Sequence, residues 1–326
     1  MSDHTISLAF SVLHHYLKLF AEKQEPHLPL PSFPSQFKQV DISPFLSQAE
    51  CIVLGKQPEL KESNKLFSLF ETIHQENTKT QFSYDFQPLS PNTIFPKKEK
   101  NNTTLSTHWD KFVQAIAEIP KSHCDNPSLW LDHFDTAMQC FTCNLPSPYS
   151  DEISFYDFTK AVAAFVVALA DQEINKEEPF LLIQGDFFGI QDFIFSGGSA
   201  SNKGAAKILR GRSFQVSLFT ELAALKILNA CKLPTTSQMM NAAGKFLIVA
   251  PNTEEVKNAI KQVQLELNQW FIKETYGLIG LGIAVQQAKF SDFEENHYET
   301  LVKKLFENLE EQKLKRLDLT DTTQSV

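Results

Sequence analysis

A stretch in the second half of the chain combines residue types that suit a phosphate-bearing ligand. An apolar segment, residues 180–183, leads to Asp186 and then to Gly189, and lysines and arginines follow between residues 203 and 212. The end of a strand can present a carboxylate, a glycine lets backbone approach a ligand closely, and a helix N-terminus offers free N–H groups. The order of these features indicates an anion-binding loop beside a basic helix.

The hairpin that follows decides whether such a site could also catalyse. In palm domains of nucleotidyl transferases and cyclases, an aspartate on the first strand and acids on a hairpin hold two metal ions on a triphosphate. Here Asp186 takes the first position, but residues 241–246 read Asn-Ala-Ala-Gly-Lys-Phe. This hairpin has no carboxylate, and Lys245 would repel Mg²⁺. We therefore expect nucleotide binding without catalysis by this chain alone.

The first part of the chain is expected to be almost entirely helical. A Pro-rich stretch at 26–34 and a polar loop at 77–105 interrupt the helical spacing. The predicted helices are 5–23, 41–75 with a break near 55–58, 107–119, 127–140 and 155–170.

After residue 178 the pattern changes to alternating strands and helices. The predicted strands are 180–186, 237–241, 245–250 and 280–286. The predicted helices are 204–230, 251–274 and a charged final helix at 292–317. The β-α-β-β-α-β order is that of the ferredoxin-like fold, so the fold class is α+β. We expect a helical domain at 1–176, a ferredoxin-like domain at 177–290 and a charged helix with a tail at 291–326.

Composition limits the class of protein. The chain has 42% hydrophobic and 21% charged residues, as soluble globular proteins have, and its net charge of −9 argues against a general nucleic-acid binder. Five cysteines without regular spacing fit a reducing cytosol. No apolar run approaches the roughly 20 residues that span a bilayer. We expect a cytoplasmic protein that does not enter the membrane.

Residues 185–195, Gly-Asp-Phe-Phe-Gly-Ile-Gln-Asp-Phe-Ile-Phe, carry a family resemblance. They resemble the G-D-(I/F)-x-G-I-Q-D-F-I segment that opens the first of two palm domains in the large subunit of type III-A CRISPR (Csm) effector complexes. The resemblance implies ATP as ligand, with Mg²⁺ or Mn²⁺ as the metal that Asp186 would hold. The nucleotide-binding candidates are Asp186, Phe187, Gly189, Gln191, Lys203, Lys207, Arg210 and Gly244.

The resemblance also predicts what this chain lacks. In that family a second palm with a G-G-D-D hairpin performs the chemistry, and two palms together join ATP into cyclic oligoadenylate. This chain has no G-G-D-D and no paired C-x-x-C module. We therefore expect a truncated or split large subunit. Its expected partners are other Csm subunits, crRNA, target RNA and a separate chain that carries the G-G-D-D palm.

The N-terminal region resembles the family's HD nuclease domain, with departures at its metal ligands. His14 matches the family histidine, His15 replaces the ligating aspartate, and Glu50 replaces a further aspartate. Phe158 follows Asp157 where a histidine is common. The resemblance leaves His14, His15 and Asp157 as an HD remnant. The weak metal candidates are His14, Asp157 and Asp186.

Each of these features has an ordinary structural explanation. His14 and His15 lie about 100° apart on a helix and cannot easily reach one metal from one face. Cys140 and Cys143 form a lone pair, which is a weak metal signal. The basic residues from Lys203 onward would also suit a solvated helix face.

Three functions stay open on the sequence. The first is a nucleotide-binding structural subunit of a CRISPR ribonucleoprotein, and the second is an active metal-dependent HD nuclease that binds and cuts single-stranded DNA. The third is the remnant of a broken gene. The missing aspartate at position 15 separates the first from the second.

Overall fold

The computed structural model describes residues 3–24, 28–61, 65–70, 82–98, 104–170, 176–195 and 204–315. The chain divides into two compact units. The helical unit comprises residues 2–166 and 234–236, and the sheet unit comprises residues 167–233 and 237–326.

The helical unit is built on aromatic packing. Its helices are α1 (Asp3–Gln24), α2 (Ser43–Leu54), α3 (Leu105–Ala117), α4 (Lys121–Cys124), α5 (Pro127–Thr142) and α6 (Phe155–Ala170), the last of which runs into the following unit. The ring of Phe10 on α1 lies 6.2 Å from that of Trp130 and 6.1 Å from that of Phe134 on α5. The Thr104 and Asn126 side chains accept hydrogen bonds from backbone N–H groups and so begin α3 and α5.

The predicted helix at 41–75 is wrong beyond residue 54. Gly55 adopts a left-handed conformation with φ of 65° and ends α2, and Pro58 follows within three residues. Phe67 instead forms an isolated β-bridge with Ser83, which in turn pairs with Lys97. Residues 71–75 of that prediction lie outside the described part of the chain.

The sheet unit holds a four-stranded antiparallel sheet with the strand order β2-β3-β1-β4. The strands are β1 (Phe180–Phe188), β2 (Gln238–Ala242), β3 (Lys245–Pro251) and β4 (Gly280–Ala288). The helices are α7 (Ile190–Phe195), α8 (Ala205–Ala230), α9 (Glu254–Thr275) and α10 (Glu295–Leu314). The α+β class predicted from the sequence is confirmed.

Alternation along β1 assigns the helices to the two faces of the sheet. Neighbouring side chains of a strand point to opposite faces. Phe187 contacts Phe271 of α9, whereas Asp186 pairs with Lys313 of α10. β1 is buried along nearly its whole length, because helices cover both of its faces.

Two elements differ from the sequence expectation. The short helix α7 was not predicted, and the final helix begins at Glu295 because a 3₁₀ turn, Phe290–Phe293, precedes it. Residues 316–317, the predicted end of that helix, lie outside the described residues. No helix in the described part of the chain has the length and apolar content that crossing a membrane needs.

The contact between Gly185 and Phe246 yields a matched pair of substitutions. A Cβ at Gly185 would lie 2.2 Å from the fully buried ring of Phe246, whereas a Cβ at Gly211 of α8 meets nothing within 4 Å. We expect Gly185→Ala to lower the free energy of unfolding by about 2–3 kcal/mol through overpacking. We expect Gly211→Ala to raise it by about 0.5–1 kcal/mol. Urea denaturation measures both, and equal effects would contradict the packing at β1.

Candidate functional site

Asp186 lies in the middle of the sheet. It is in register with Lys245 on β3 and with Gly282 on β4, and it is 7% exposed. A carboxylate buried at this depth needs charged or hydrogen-bonding partners, because leaving water disfavours its ionised form.

Two lysines supply those partners. Lys313 Nζ lies 2.8 Å from Asp186 Oδ2, and Lys245 Nζ lies 3.7 Å from the same oxygen. Lys313 also reaches Glu310, at 2.6 Å, and Lys245 lies over the ring of Phe306. Burial lowers the pKa of Lys313, but its hydrogen bonds to Asp186 and Glu310 outweigh this, so its pKa is raised overall. Both positive groups come from the same unit as the carboxylate.

The glycines near Asp186 are required by the path of the protein's own backbone. Gly189 has a φ of +74°, and a Cβ there would lie 2.2 Å from the carbonyl oxygen of Leu278. Ala243 and Gly244 both have positive φ, as the central residues of type I′ hairpin turns do. The Gly244 carbonyl accepts a hydrogen bond from the Phe187 N–H at 3.0 Å. The close backbone contact at Gly189 and the positive φ at Gly244 therefore account for both glycines without a ligand.

The remaining nucleotide-binding candidates that the structure describes lie on different elements of the sheet unit. The Phe187 ring is 4% exposed and packs on Phe271, on the face opposite to Asp186. Gln191, Lys207 and Arg210 are exposed, the first on α7 and the other two on the first turns of α8. Lys203 lies outside the described residues.

Arg212 has a structural contact that the sequence did not suggest. Its guanidinium donates to the carbonyl oxygens of Phe193 and Ile194, at 3.1 and 3.2 Å. These carbonyls end α7, so the arginine ties that helix to α8.

In the helical unit, His14 and His15 are half-buried at the surface of α1. Gln39 lies 2.9 Å from Nδ1 of His14, and the ring of His15 contacts that of Tyr16. Burial, with a contribution from Lys18, lowers the pKa of His14, and burial also lowers the pKa of His15 against an opposing effect of Glu50.

The carboxylate of Glu50 has hydroxyl partners. Its Oε1 accepts hydrogen bonds from Tyr16 at 2.7 Å and from Tyr149 at 2.6 Å, and the residue is 7% exposed. The ring of Phe158 contacts both tyrosine rings. No sequence signal pointed to this cluster, because the two tyrosines lie 34 and 99 residues from Glu50 in the chain.

Asp157 is exposed and is hydrogen-bonded to Ser154, which caps the N-terminus of α6. It accepts a hydrogen bond from the Ser154 hydroxyl at 2.7 Å, and the Asp157 N–H donates to the same hydroxyl at 3.0 Å. Among the described residues no group of three or more His, Cys, Asp or Glu side chains could hold a metal ion. His14, His15 and Asp157 therefore do not form a cluster that fits the metal implied by the resemblance.

Comparison with known proteins gives a consistent result. The family model for domain B of the Csm1 subunit matches residues 179–325. A Cas10/Csm1 single-strand-specific deoxyribonuclease of Thermococcus onnurineus is 31% identical over 178 residues, which cover 50% of this chain and 22% of the relative. One from Mycobacterium tuberculosis is 30% identical over 222 residues, which cover 68% of this chain and 26% of the relative.

Solved structures share the fold. An apo Csm1–Csm4 cassette has a TM-score of 0.71 at 20% identity, covering 97% of this chain and 49% of that chain. A Csm1–Csm4 cassette in complex with AMPPNP has a TM-score of 0.70 at 20% identity, with the same coverage. This chain spans between 22% and 32% of the length of the curated relatives it matches.

The hydroxyls on Glu50 can be tested by single-atom removal. We expect Tyr16→Phe to lower the free energy of unfolding by about 1.5–3 kcal/mol, because a buried carboxylate loses one of two donors. Tyr84→Phe serves as the control, since the Tyr84 hydroxyl has no partner within the described residues; it should change stability by less than about 0.5 kcal/mol. Equal losses in urea denaturation would contradict the assigned hydrogen bonds.

The two histidines give stability a pH dependence of definite sign. Because their pKa values are lowered on folding, the unfolded chain binds protons more readily. Stability is therefore complete above the ordinary histidine pKa and falls as pH drops through the folded-state values. Urea midpoints should be lower at about pH 5.5 than at about pH 7.5.

Replacing both His14 and His15 by glutamine should reduce that difference between the two pH values. Part of it should persist, because burial also lowers the pKa of His108, against a raising effect of the Phe141 carbonyl. A double variant with the full pH dependence of the wild type would contradict the assignment.

Proposed function

Since the chain belongs to the Csm1/Cas10 family of type III-A CRISPR large subunits, as its sequence motifs predicted, we propose that it contributes nucleotide-binding and structural roles to such a subunit. The match of residues 179–325 to domain B of the Csm1 subunit carries this proposal. The strand order β2-β3-β1-β4 supports it, because a β-α-β-β-α-β chain with this order has the ferredoxin-like arrangement expected of a palm.

We assign the domains on the same basis. Residues 1–176 form a helical domain of HD type, and the palm begins at residue 177. The expected boundary at 290 moves to the end of α10, because Lys313 on that helix pairs with Asp186 on β1. The palm then coincides with the segment that matches domain B.

ATP is the proposed ligand of the palm. Solved Csm1–Csm4 cassettes of the same fold are in complex with AMPPNP and with one ATP. In this chain Lys207 and Arg210 are exposed on the first turns of α8, where the helix N-terminus adds partial positive charge. A triphosphate at this end of the sheet would meet both.

Catalysis requires groups that this palm does not offer. Its hairpin at 241–246 has no carboxylate, so the second acidic cluster of a two-metal site is missing from this hairpin. We propose that oligoadenylate synthesis needs a palm with a G-G-D-D hairpin, which residues 1–326 do not contain. The proposed setting is a cytoplasmic ribonucleoprotein with other Csm subunits, crRNA and target RNA, as the Csm1–Csm4 subcomplex of the type III-A interference complex suggests.

The alternative function is a metal-dependent nuclease for single-stranded DNA. It is favoured by the relatives, which are named single-strand-specific deoxyribonucleases. It is opposed by the side chains at the HD positions, where Tyr16 and Tyr149 donate hydrogen bonds to Glu50 and Ser154 donates one to Asp157. We therefore place the structural role first.

The nucleotide role predicts a charge-dependent affinity for ATP. Replacing Lys207 and Arg210 together by glutamate should weaken ATP binding at least about tenfold, because two positive charges become negative beside a polyphosphate. The control is Lys303→Glu with Lys304→Glu, which changes the net charge equally on exposed positions of α10. Isothermal titration measures all three proteins, and equal losses in both variants would contradict the assigned site.

The protein alone should produce neither oligoadenylate from ATP nor fragments from single-stranded DNA in the presence of Mn²⁺. Mass spectrometry and gel analysis measure these products. Formation of oligoadenylate would refute the inference that a palm with an acid-free hairpin cannot catalyse this reaction. DNA cleavage that is lost in His14→Ala would favour the nuclease instead.

A further inference from the structure

We propose that the Lys313 ammonium takes the place of a metal ion at Asp186, so that a nucleotide binds this palm without a divalent cation on that carboxylate. Nucleotide binding by the palm rests on the proposed function. The replacement of a metal ion by Lys313 rests on the geometry of the sheet unit alone.

Lys313 lies between two carboxylates. Its Nζ is 2.8 Å from Asp186 Oδ2 and 2.6 Å from Glu310 Oε1. A positive centre bridged by two carboxylate oxygens is the arrangement that Mg²⁺ or Mn²⁺ would adopt with the same ligands. The lysine side chain is 18% exposed, and that of Asp186 is 9% exposed, so the pair is largely shielded from competing solvent ions.

A second positive charge disfavours any ion that would displace Lys313. Lys245 Nζ lies 3.7 Å from the same Asp186 oxygen, and the Phe306 ring lies beside that ammonium. A divalent ion on Asp186 would lie within a few ångströms of Lys245 and would be repelled by it. Entry of a metal would therefore require Lys313 to leave and would be opposed by the charge of Lys245.

A glycine on β4 leaves room for the Lys313 side chain. Gly282 faces Asp186 across the β1–β4 ladder, and a Cβ at Gly282 would lie 2.9 Å from Lys313 Cγ. The lysine stem occupies the space that a side chain would otherwise fill. The ammonium is thereby held at the carboxylate by the close approach of α10 to β4.

This arrangement changes how the palm would meet ATP. The phosphates would find no metal bound at Asp186, because the Lys313 ammonium already balances that carboxylate. ATP affinity should then depend little on divalent ions, since the positive charge at Asp186 belongs to the chain. The carboxylate would act as the counter-ion that orders two lysines.

The decisive experiment measures Mn²⁺ binding by electron paramagnetic resonance of free Mn²⁺. The wild type and Asp186→Asn should bind Mn²⁺ equally. Lys313→Ala should gain a site at least about tenfold tighter than any in the wild type, because it leaves Asp186 and Glu310 without their shared cation. Adding Glu310→Gln to Lys313→Ala should abolish the gain.

Three outcomes would overturn the proposal: Mn²⁺ binding by the wild type that Asp186→Asn removes, no gain in Lys313→Ala, or a gain that survives Glu310→Gln. Far-UV circular dichroism and thermal melting establish that each variant folds. If Lys313→Ala does not fold, the comparison of the wild type with Asp186→Asn still decides, because a metal on Asp186 predicts a difference there.

ATP titration separates this inference from the proposed function. We expect the dissociation constant of the wild type to differ by less than about threefold between EDTA and Mn²⁺. Loss of ATP binding in EDTA alone would overturn the metal-free site. Absence of ATP binding under both conditions would refute the nucleotide role. The Mn²⁺ measurements would then still decide whether Lys313 replaces a metal ion at Asp186.

Discussion

The sheet unit depends on compensating one carboxylate that is buried in its central region. Asp186 is flanked in register by Lys245 and by Gly282, and α10 delivers Lys313 over that glycine. Removing one member of a buried ion pair typically costs about 3–5 kcal/mol, because the other charge is left without a partner. The position of α10 is therefore tied to the charge on β1, and the helix belongs to the same folding unit as the sheet.

Much of the fold could be predicted because local signals agree with it. The hairpin between β2 and β3 turns at Gly244, a residue type that adopts the positive φ of such a turn without strain. The Thr253 side chain caps α9, and threonine is a common residue at that position. The order of strands and helices follows from such signals. The prediction of a helix beyond residue 54 was wrong, although the apolar spacing continues there. Gly55 ends α2 in a left-handed conformation, and Phe67 pairs with Ser83 in a β-bridge.

The site could be predicted only in part, because its decisive contacts join residues far apart in sequence. Lys245 could be placed beside Asp186 from the hairpin, but Lys313 lies in a charged helix whose pattern reads as a solvated face. No periodicity shows which of its lysines turns inward. Phe187 was expected at the ligand, yet alternation along β1 puts its ring on the face opposite to Asp186. That rule was available from the sequence.

The two units solve the same electrostatic problem with different chemistry. In each, a carboxylate less than a tenth exposed accepts donors from the chain itself: ammonium groups on Asp186 and tyrosine hydroxyls on Glu50. Ammonium groups bring a positive charge to the carboxylate, whereas hydroxyls donate hydrogen bonds without a formal charge. A cation would have to compete with an existing ion pair at Asp186 but only with two hydrogen bonds at Glu50. The hydrogen-bond donors of the carboxylate in the helical unit therefore carry no formal positive charge, unlike those in the sheet unit.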